Sequence, residues 1–150
     1  MKKNIILLVL SLISNLSFGQ KIDYNLQKGY VAGGYDVVSY FDNDATKGKN
    51  SFIFSYKNAK FKFSSQLNLN KFKANPSKYT PQYGGWCAYA LATKNEKVTI
   101  NPETFEIRNG KLYLFYNKYF NNTLESWIEE MPNKLVQTAN SNWNKIKYVN

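Results

Sequence analysis

The chain has 150 residues, a length that fits one domain with its own hydrophobic core. Its 20 basic and 10 acidic residues give a net charge of +10, and histidine is absent, which removes the usual general base, the usual proton switch and the commonest metal ligand. Arg108 is the only arginine and the lysines are scattered, so the composition argues against a nucleic-acid-binding surface.

Residues 1–19 have the pattern of a secretory signal peptide. Two lysines precede an apolar stretch at 5–16, and small residues occupy the −3 and −1 positions of a cleavage site before Gln20. The apolar stretch is shorter than the ~20 residues that span a bilayer, so we expect cleavage rather than a membrane anchor. The sequence therefore predicts an exported protein, periplasmic or secreted, without stable membrane insertion after cleavage.

Hydrophobic periodicity and turn residues predict an α+β fold for the remaining domain, residues 20–150, with a core at about 30–146. In chain order we expect a loose polar leader at 20–29, an extended strand at 35–41, a hairpin of 51–56 and 60–63, a helix at 66–74, a short helix within 86–92, a short strand at 98–100, a turn at 101–103, a hairpin of 104–108 and 111–116, and helices at 123–131 and 133–147.

The second hairpin has the strongest local signal, because Asn109-Gly110 between two alternating runs is typical of a type I′ turn. Ser64-Ser65 offers an N-cap for the helix at 66–74. The predicted architecture is a single small domain of antiparallel β-hairpins packed with short helices, and it ends in a C-terminal helical hairpin. No internal repeat is evident in the sequence.

The stretch from Tyr79 to Ala92 is the candidate functional segment. It holds Cys87, the only cysteine, which cannot form a disulfide within the chain. As a thiolate Cys87 could bind a soft metal ion such as copper, with Met131 as the only other sulfur of the mature chain. Alternatively, Cys87 is a small buried core residue, as free cysteines commonly are.

Aromatic residues beside two Gly-Gly pairs could line a ligand pocket or could pack in the core. Asp36 could face Cys87 as an acid, a base or a hard ligand, or it could cap a turn through backbone N–H groups. The candidate ligand-binding residues are Tyr35, Asp36, Tyr83, Gly84, Gly85, Trp86 and Tyr89.

Several separated motifs, in order, resemble exported YHS-domain proteins over about 115 residues. They are Gly33-Gly-Tyr-Asp-Val-Val-Ser-Tyr-Phe41, Phe63-Ser-Ser65 with Asn68 and Phe72, Pro76 with Tyr79, Gly84-Gly-Trp-Cys-Ala-Tyr89, and Gly110-Lys-Leu-Tyr-Leu114. The resemblance implies a small α+β domain linked with heavy-metal handling, and it implies no enzymatic activity.

The chain departs from that family at the junction between hairpin and helix. Metal-binding relatives carry Phe-Cys-Ser followed by Cys there, whereas this chain has Phe63-Ser64-Ser65 and Asn68. A hydroxyl and an amide hold Cu(I) or Zn²⁺ poorly, and the histidine of the family's name is also missing.

The sequence thus favours a non-enzymatic exported binding domain, with a soft metal ion or a small molecule held at an aromatic site around Cys87. One alternative is an envelope structural or protein-interaction module in which Cys87 is a core residue. A weaker alternative is a cysteine-dependent enzyme, which needs a base or a depressed thiol pKa to activate the nucleophile.

Overall fold

The structure, a computed structural model, describes residues 19–149, so the predicted signal peptide lies outside the described residues except for Gly19. Hairpins and helices alternate along the chain, which confirms the predicted α+β class. The elements are β1 (Leu26–Gln27), β2 (Tyr30–Val31), β3 (Lys49–Tyr56), β4 (Ala59–Phe63), α1 (Gln66–Ala74), α2 (Pro76–Tyr79), α3 (Ala88–Lys94), β5 (Asn101–Arg108), β6 (Lys111–Phe115), β7 (Asn117–Lys118), β8 (Asn121–Asn122), α4 (Thr123–Glu129) and α5 (Pro132–Ile146).

Consecutive strands pair as two-stranded antiparallel sheets, and in residues 19–149 there are four such hairpins. Each closes through a two-residue turn in which both residues have positive φ, as a type I′ turn requires. The turns are Lys28-Gly29, Lys57-Asn58, Asn109-Gly110 and Tyr119-Phe120.

The β3–β4 and β5–β6 hairpins repeat one arrangement. Residue numbers in the two registers differ by 52 throughout, so the pair Lys49 and Phe63 corresponds to the pair Asn101 and Phe115. The register shift of each hairpin also falls at the same place, directly after Lys49 and directly after Asn101. Such shifts bend a strand and are specific features of a sheet, so their coincidence marks the two hairpins as structurally equivalent.

A buried aromatic residue of the following helix packs on each hairpin. Phe72 of α1 lies 5.1 Å from Phe63 between ring centroids, and Trp127 of α4 lies 5.4 Å from Phe115. All four side chains are fully buried. Each hairpin–helix unit therefore has its own aromatic contact between sheet and helix.

A left-handed turn of three residues precedes each unit. The φ angles of Ala32-Gly33-Gly34 are 52°, 62° and 82°, and those of Tyr83-Gly84-Gly85 are 55°, 60° and 82°. An aromatic residue in extended conformation follows each turn. The structure thus contains a repeat, residues 32–74 and 83–129, that the sequence pattern did not reveal.

The predicted leader and first strand are wrong. Residues 20–29 are not loose, since Tyr24 and Asn25 are 8% and 4% exposed and β1 follows them. Within 35–41 the chain forms one bridge at Tyr35 and then a 3₁₀ turn over Ser39–Asp42. The β-branched residues there are buried by tertiary packing and not by sheet pairing, which is why their β propensity misled the prediction.

Two C-terminal details also differ from the prediction. The turn expected at 101–103 is the start of β5, and 98–100 forms no strand. Helix α4 ends at Glu129, two residues before the predicted end at 131, and Ile128 and Met131 are 55% and 69% exposed. The hairpins β3–β4 and β5–β6 and the helices α1, α3, α4 and α5 agree with the prediction to within a few residues, whereas the hairpins β1–β2 and β7–β8 and the helix α2 were not predicted.

Two adjoining hydrophobic clusters form the core. One joins β4 and α1 with the segment after the first left-handed turn, and the other joins α3 and β6 with α4 and α5. Across residues 19–149, no helix combines the length and the hydrophobicity that crossing a membrane requires.

Candidate functional site

The left-handed turn at Tyr83-Gly84-Gly85 brings the N-terminal segment against α5. A Cβ atom at Gly84 would lie 2.9 Å from the Asp23 carbonyl oxygen and 3.1 Å from the Trp143 ring. Only glycine fits this close approach, and its φ of +60° also favours glycine. The sequence pattern marked the glycines correctly, but their evident role is packing of the chain on itself.

Three hydrogen bonds fix that N-terminal segment. Asn25 donates its backbone N–H to the Gly84 carbonyl (2.9 Å) and its side-chain amide to the Gly85 carbonyl (3.0 Å). The Trp86 indole N–H donates to the Asp23 carbonyl at 2.8 Å. Gly85 and Trp86 were both predicted to bind a ligand, but the Gly85 carbonyl and the Trp86 indole N–H form hydrogen bonds with the N-terminal segment.

Cys87 lies in the core with no exposed surface. The Tyr116 backbone N–H donates to its Sγ at 3.4 Å, and Sγ lies 3.4 Å from the Thr123 hydroxyl oxygen. Because the Thr123 hydroxyl donates to the Tyr116 carbonyl (2.8 Å), the thiol S–H is the donor in the contact between Cys87 and Thr123.

The thiol faces a small cavity of about 210 Å³, which we call the thiol cavity. Tyr89 and Lys94 are among its lining residues, and Met131 is not. In the part of the chain that the structure describes, no three His, Cys, Asp or Glu side chains are grouped as metal ligands usually are. Cys87 therefore offers a soft metal ion a single sulfur ligand from this chain.

Asp36 is fully buried and does not line the thiol cavity. Its Oδ1 accepts the Val38 backbone N–H at 2.9 Å, as in an Asx turn. Its Oδ2 accepts the Ser64 backbone N–H (2.8 Å), the Ser64 hydroxyl (2.7 Å) and the Asn68 amide (2.7 Å). Of the two roles considered for Asp36, the observed contacts are those of the turn cap.

Asp36 and Cys87 occupy equivalent positions in the structural repeat. Each is the second residue after a left-handed turn, and each side chain accepts a backbone N–H from the residue that follows the second hairpin strand, Ser64 for Asp36 and Tyr116 for Cys87. The residue numbers of those two donors again differ by 52. The thiol thus occupies the place in the second half that the carboxylate occupies in the first.

Tyr35 and Tyr89, the outer members of the predicted site, form hydrogen bonds with different parts of the protein. The Tyr35 hydroxyl donates to Glu103 and the Tyr89 hydroxyl donates to Glu130, each at 2.8 Å. Burial, followed by the hydrogen bond to Glu103, raises the pKa of Tyr35, whereas the hydrogen bond to Glu130 is the main cause of the raised pKa of Tyr89. Both phenols stay protonated donors at neutral pH.

Tyr35 lines a second cavity, of about 470 Å³, beside the first Gly-Gly pair. Three lysines, Lys28, Lys47 and Lys62, line it as well. The Lys62 ammonium lies 4.2 Å from the centroid of the Tyr30 ring, which is a cation–π contact.

Tyr83 and Gly84 line a third cavity, of about 450 Å³, which we call the aromatic cleft. Four aromatic side chains contribute to its wall, namely Tyr24, Tyr56, Tyr83 and Trp143. Amide, hydroxyl and ammonium groups complete it, namely Gln82, Asn140, Asn144, Ser77, Thr80 and Lys57. Its lining includes no carboxylate.

Two of the three tyrosines of the aromatic cleft have raised pKa values, whereas a hydrogen bond with Ser77 lowers the pKa of the third, Tyr56. Burial raises the pKa of Tyr24 to about 12, and burial also raises the pKa of Tyr83. The Tyr83 hydroxyl donates to Asn140 Oδ1 at 3.0 Å, which fixes the ring against α5. The cleft therefore presents aromatic side chains, neutral hydrogen-bonding groups and one cation, Lys57.

Sequence reasoning identified Tyr83 and Gly84 but missed the other half of this cleft. Trp143 and Asn144 lie three and four residues after Asn140, which places all three on one face of α5. Two amides beside a tryptophan on a helix face form a signal that could have been found in the sequence. The predicted site residues that line a cavity are divided among three cavities that share no lining residue, and Asp36, Gly85, Trp86 and Met131 line none of them.

Comparison with known proteins gives no further assignment, since no family model, curated protein or solved structure matches the chain.

Proposed function

We propose that this protein is a non-enzymatic binding domain that holds a small, neutral, polyhydroxylated molecule such as a sugar in the aromatic cleft. The observation that carries the proposal is the composition of the cleft wall: four aromatic side chains, three amides, two hydroxyls and one ammonium group. Aromatic faces pack on the C–H surfaces of such a ligand, and amides exchange hydrogen bonds with its hydroxyls.

The size and polarity of the aromatic cleft support this proposal. Its volume of about 450 Å³ lies within the range of roughly 300–1,000 Å³ that is usual for small-molecule sites. Because the raised pKa of Tyr24 keeps that phenol protonated, the wall offers neutral donors at physiological pH. Groups of this kind bind and orient a ligand without taking up or releasing protons.

Backbone strain at Tyr83 also supports a binding role. A bulky residue at a φ of +55° costs about 1–3 kcal/mol and is retained where the surroundings or a function require it. The strain directs the Tyr83 ring into the cleft wall, and the hydrogen bond to Asn140 holds it there. The ring is only 4% exposed, so it forms a rigid part of the wall, and a rigid wall lowers the entropic cost of binding.

In this proposal the protein is exported and related to YHS-domain proteins, and Cys87 is a core residue. The export rests on the pattern of residues 1–19, and the relationship rests on the motifs that resemble the family. Complete burial and two hydrogen-bond contacts support the core role of Cys87. Soft-metal binding at this thiol remains the competing hypothesis, which a Cu(I) titration distinguishes.

The proposal is tested by calorimetric titration of the chain from Gln20 onward, which includes every residue of the described core, with neutral mono- and disaccharides. A ligand at 100 times its Kd should add about 2.7 kcal/mol to the free energy of unfolding. The variant Asn144→Ala removes one exposed amide from the cleft and should weaken binding about three- to tenfold, since a hydrogen bond contributes roughly 0.5–1.5 kcal/mol.

Asn50→Ala is the matched control, because Asn50 is equally an exposed amide and lies outside the cleft. Its affinity should equal that of the unchanged protein. If no neutral sugar binds, or if both variants weaken binding alike, the assignment of the aromatic cleft as a sugar site is wrong.

A further inference from the structure

The β7–β8 hairpin is an insertion in the second half of the structural repeat. In the first half only two residues, 64 and 65, connect β4 to α1, whereas seven residues, 116–122, connect β6 to α4. The first half forms its hairpin–helix contact without any such addition. The inserted hairpin is therefore not required by the architecture that the two halves share.

The tip of this insertion is its most unusual feature. Tyr119 and Phe120 form the two-residue turn and are 79% and 111% exposed, so their rings project into solvent. The Lys118 ammonium lies 4.5 Å from the centroid of the Tyr119 ring. Large apolar side chains gain nothing for the stability of the chain in this position.

The backbone at the tip is also strained. Tyr119 and Phe120 have φ angles of 51° and 62°, a region that bulky residues avoid. The other three hairpin turns follow the usual rule and carry glycine or asparagine as their second residue, namely Lys28-Gly29, Lys57-Asn58 and Asn109-Gly110. The chain thus uses favourable turn residues everywhere except at the tip where it exposes two aromatic rings.

We propose that the Tyr119–Phe120 tip inserts into the interfacial region of an anionic lipid bilayer and attaches the protein peripherally to a membrane surface. Strained positions that the fold does not need are commonly retained for function. Aromatic side chains partition into the bilayer interface singly, and tyrosine is enriched there. This inference is independent of the ligand proposed for the aromatic cleft.

Two observations favour a lipid surface over a protein partner. A stable protein interface buries about 800 Å² on each partner, which is far more than a two-residue tip provides, whereas a bilayer needs no complementary shape. Charge is also complementary, because the inserted segment 116–122 carries Lys118 and no acidic residue, and the whole chain is strongly basic. Anionic headgroups attract such a segment and hold the tip at the surface.

The test uses the chain from Gln20 onward and flotation with vesicles of 30% phosphatidylglycerol in phosphatidylcholine. The decisive variant is the pair Tyr119→Asn and Phe120→Gly, which installs the turn found at Asn109-Gly110. We expect partitioning to fall at least about tenfold, equivalent to about 1.4 kcal/mol. The melting temperature should stay equal or rise, because the substitution removes backbone strain.

If this double variant binds vesicles more weakly but melts at the same or a higher temperature, misfolding is excluded as the cause of the weaker binding. Leu67→Ser is the control, since Leu67 is 63% exposed on α1 and lies outside the tip, and it should bind vesicles as the unchanged chain does. Phe120→Trp should retain binding and show a blue-shifted emission on vesicles. Binding should also weaken with salt, since the Debye length is only about 10 Å at 0.1 M.

The proposal is overturned if the unchanged chain fails to float with these vesicles at low salt, which leaves the tip to a protein partner. It is equally overturned if the Asn-Gly variant floats as well as the unchanged chain, or if Leu67→Ser loses as much binding as that variant.

Discussion

Replacement of Asp36 by alanine should be among the most destabilising single changes in this protein. The carboxylate is fully buried and accepts four hydrogen bonds. They come from the Val38 and Ser64 backbones, the Ser64 hydroxyl and the Asn68 amide, and they tie the segment after the first left-handed turn to the start of α1. Alanine removes the acceptor of all four hydrogen bonds, and only the Asn68 amide keeps a second acceptor, the Ser64 hydroxyl oxygen at 3.4 Å.

The size of the effect follows from the burial of those donors. A hydrogen bond to a charged group contributes roughly 1.5–3 kcal/mol, but contributions within one network do not add, and the donors of Ser64 and Asn68 are only partly buried. Because Val38 alone stays in a fully buried environment, we expect a loss of about 3–5 kcal/mol for Asp36→Ala. That is a large share of the roughly 5–15 kcal/mol that stabilises a typical domain.

Urea unfolding followed by circular dichroism measures this loss. Asp42→Ala is the control, because Asp42 lies in the same segment but is exposed, and it should stay within about 0.5 kcal/mol of the unchanged chain. A double-mutant cycle with Asn68→Ala should show a coupling above about 1 kcal/mol. A loss below 1 kcal/mol for Asp36→Ala would refute the reasoning and return Asp36 to the candidates for ligand binding.

Three further changes test other parts of the structure. Gly84→Ala should cost about 2–4 kcal/mol in urea unfolding, because its Cβ would meet a backbone oxygen at 2.9 Å, whereas Gly110→Ala, with open space and a similar φ, should cost only about 1 kcal/mol. Cys87 should react with a thiol reagent at least about 100-fold more slowly in the folded protein than in urea, because it is buried. Cu(I) should bind the Cys87→Ser variant as it binds the unchanged chain. Tight stoichiometric binding that is lost in that variant would instead establish a soft-metal site. Burial raises the pKa of Tyr24 from 10.0 to about 12, so the unfolded chain loses this proton first and stability should fall as the pH rises from 10 to 12, with a shallower fall for Tyr24→Phe.

Local patterns were sufficient to predict the two long hairpins, β3–β4 and β5–β6, and most helices. Asn109-Gly110 specifies its turn through two residues that tolerate positive φ, and the Ser65 side chain caps α1 by accepting the Asn68 backbone N–H. Leu69 and Phe72 are both buried on the inner face of that helix, as their spacing indicates. These features depend on neighbours within a few residues, so a single sequence contains the information.

Two regions that were predicted wrongly, 20–29 and 35–41, depend on contacts between distant residues. Asn25 is ordered by hydrogen bonds to Gly84 and Gly85, about 60 positions away, and no local pattern marks it. The segment at 35–41 has high β propensity, yet the hydrogen bonds of Asp36 to Val38 and Ser64 turn it away from a sheet. In both regions tertiary contacts override local preference.

The candidate site was only partly predictable because neighbours in sequence diverge in space. Tyr83 in the left-handed turn contributes to the aromatic cleft, Trp86 binds the N-terminal segment, and Cys87 enters the core. A left-handed turn followed by a short helix directs successive side chains to different sides of the chain. Grouping them by their proximity in sequence therefore predicted one site where the structure has three cavities.

The structural repeat gives the lone cysteine a physical explanation that its sequence context does not. At the equivalent positions of the two halves, Asp36 and Cys87 each accept a backbone N–H after the second hairpin strand, so both positions require a buried acceptor.

The two halves differ in the other donors that they offer to this acceptor. In the first half Ser64 and Asn68 supply further donors, so a carboxylate has enough hydrogen bonds. In the second half the main additional partner is one hydroxyl, that of Thr123, which is itself engaged as a donor to a carbonyl. A charged carboxylate placed there would lack donors, whereas a thiol both accepts weakly and donates to that hydroxyl at little desolvation cost. The smaller number of donors in the second half is thus sufficient to account for a thiol in place of a carboxylate at this position.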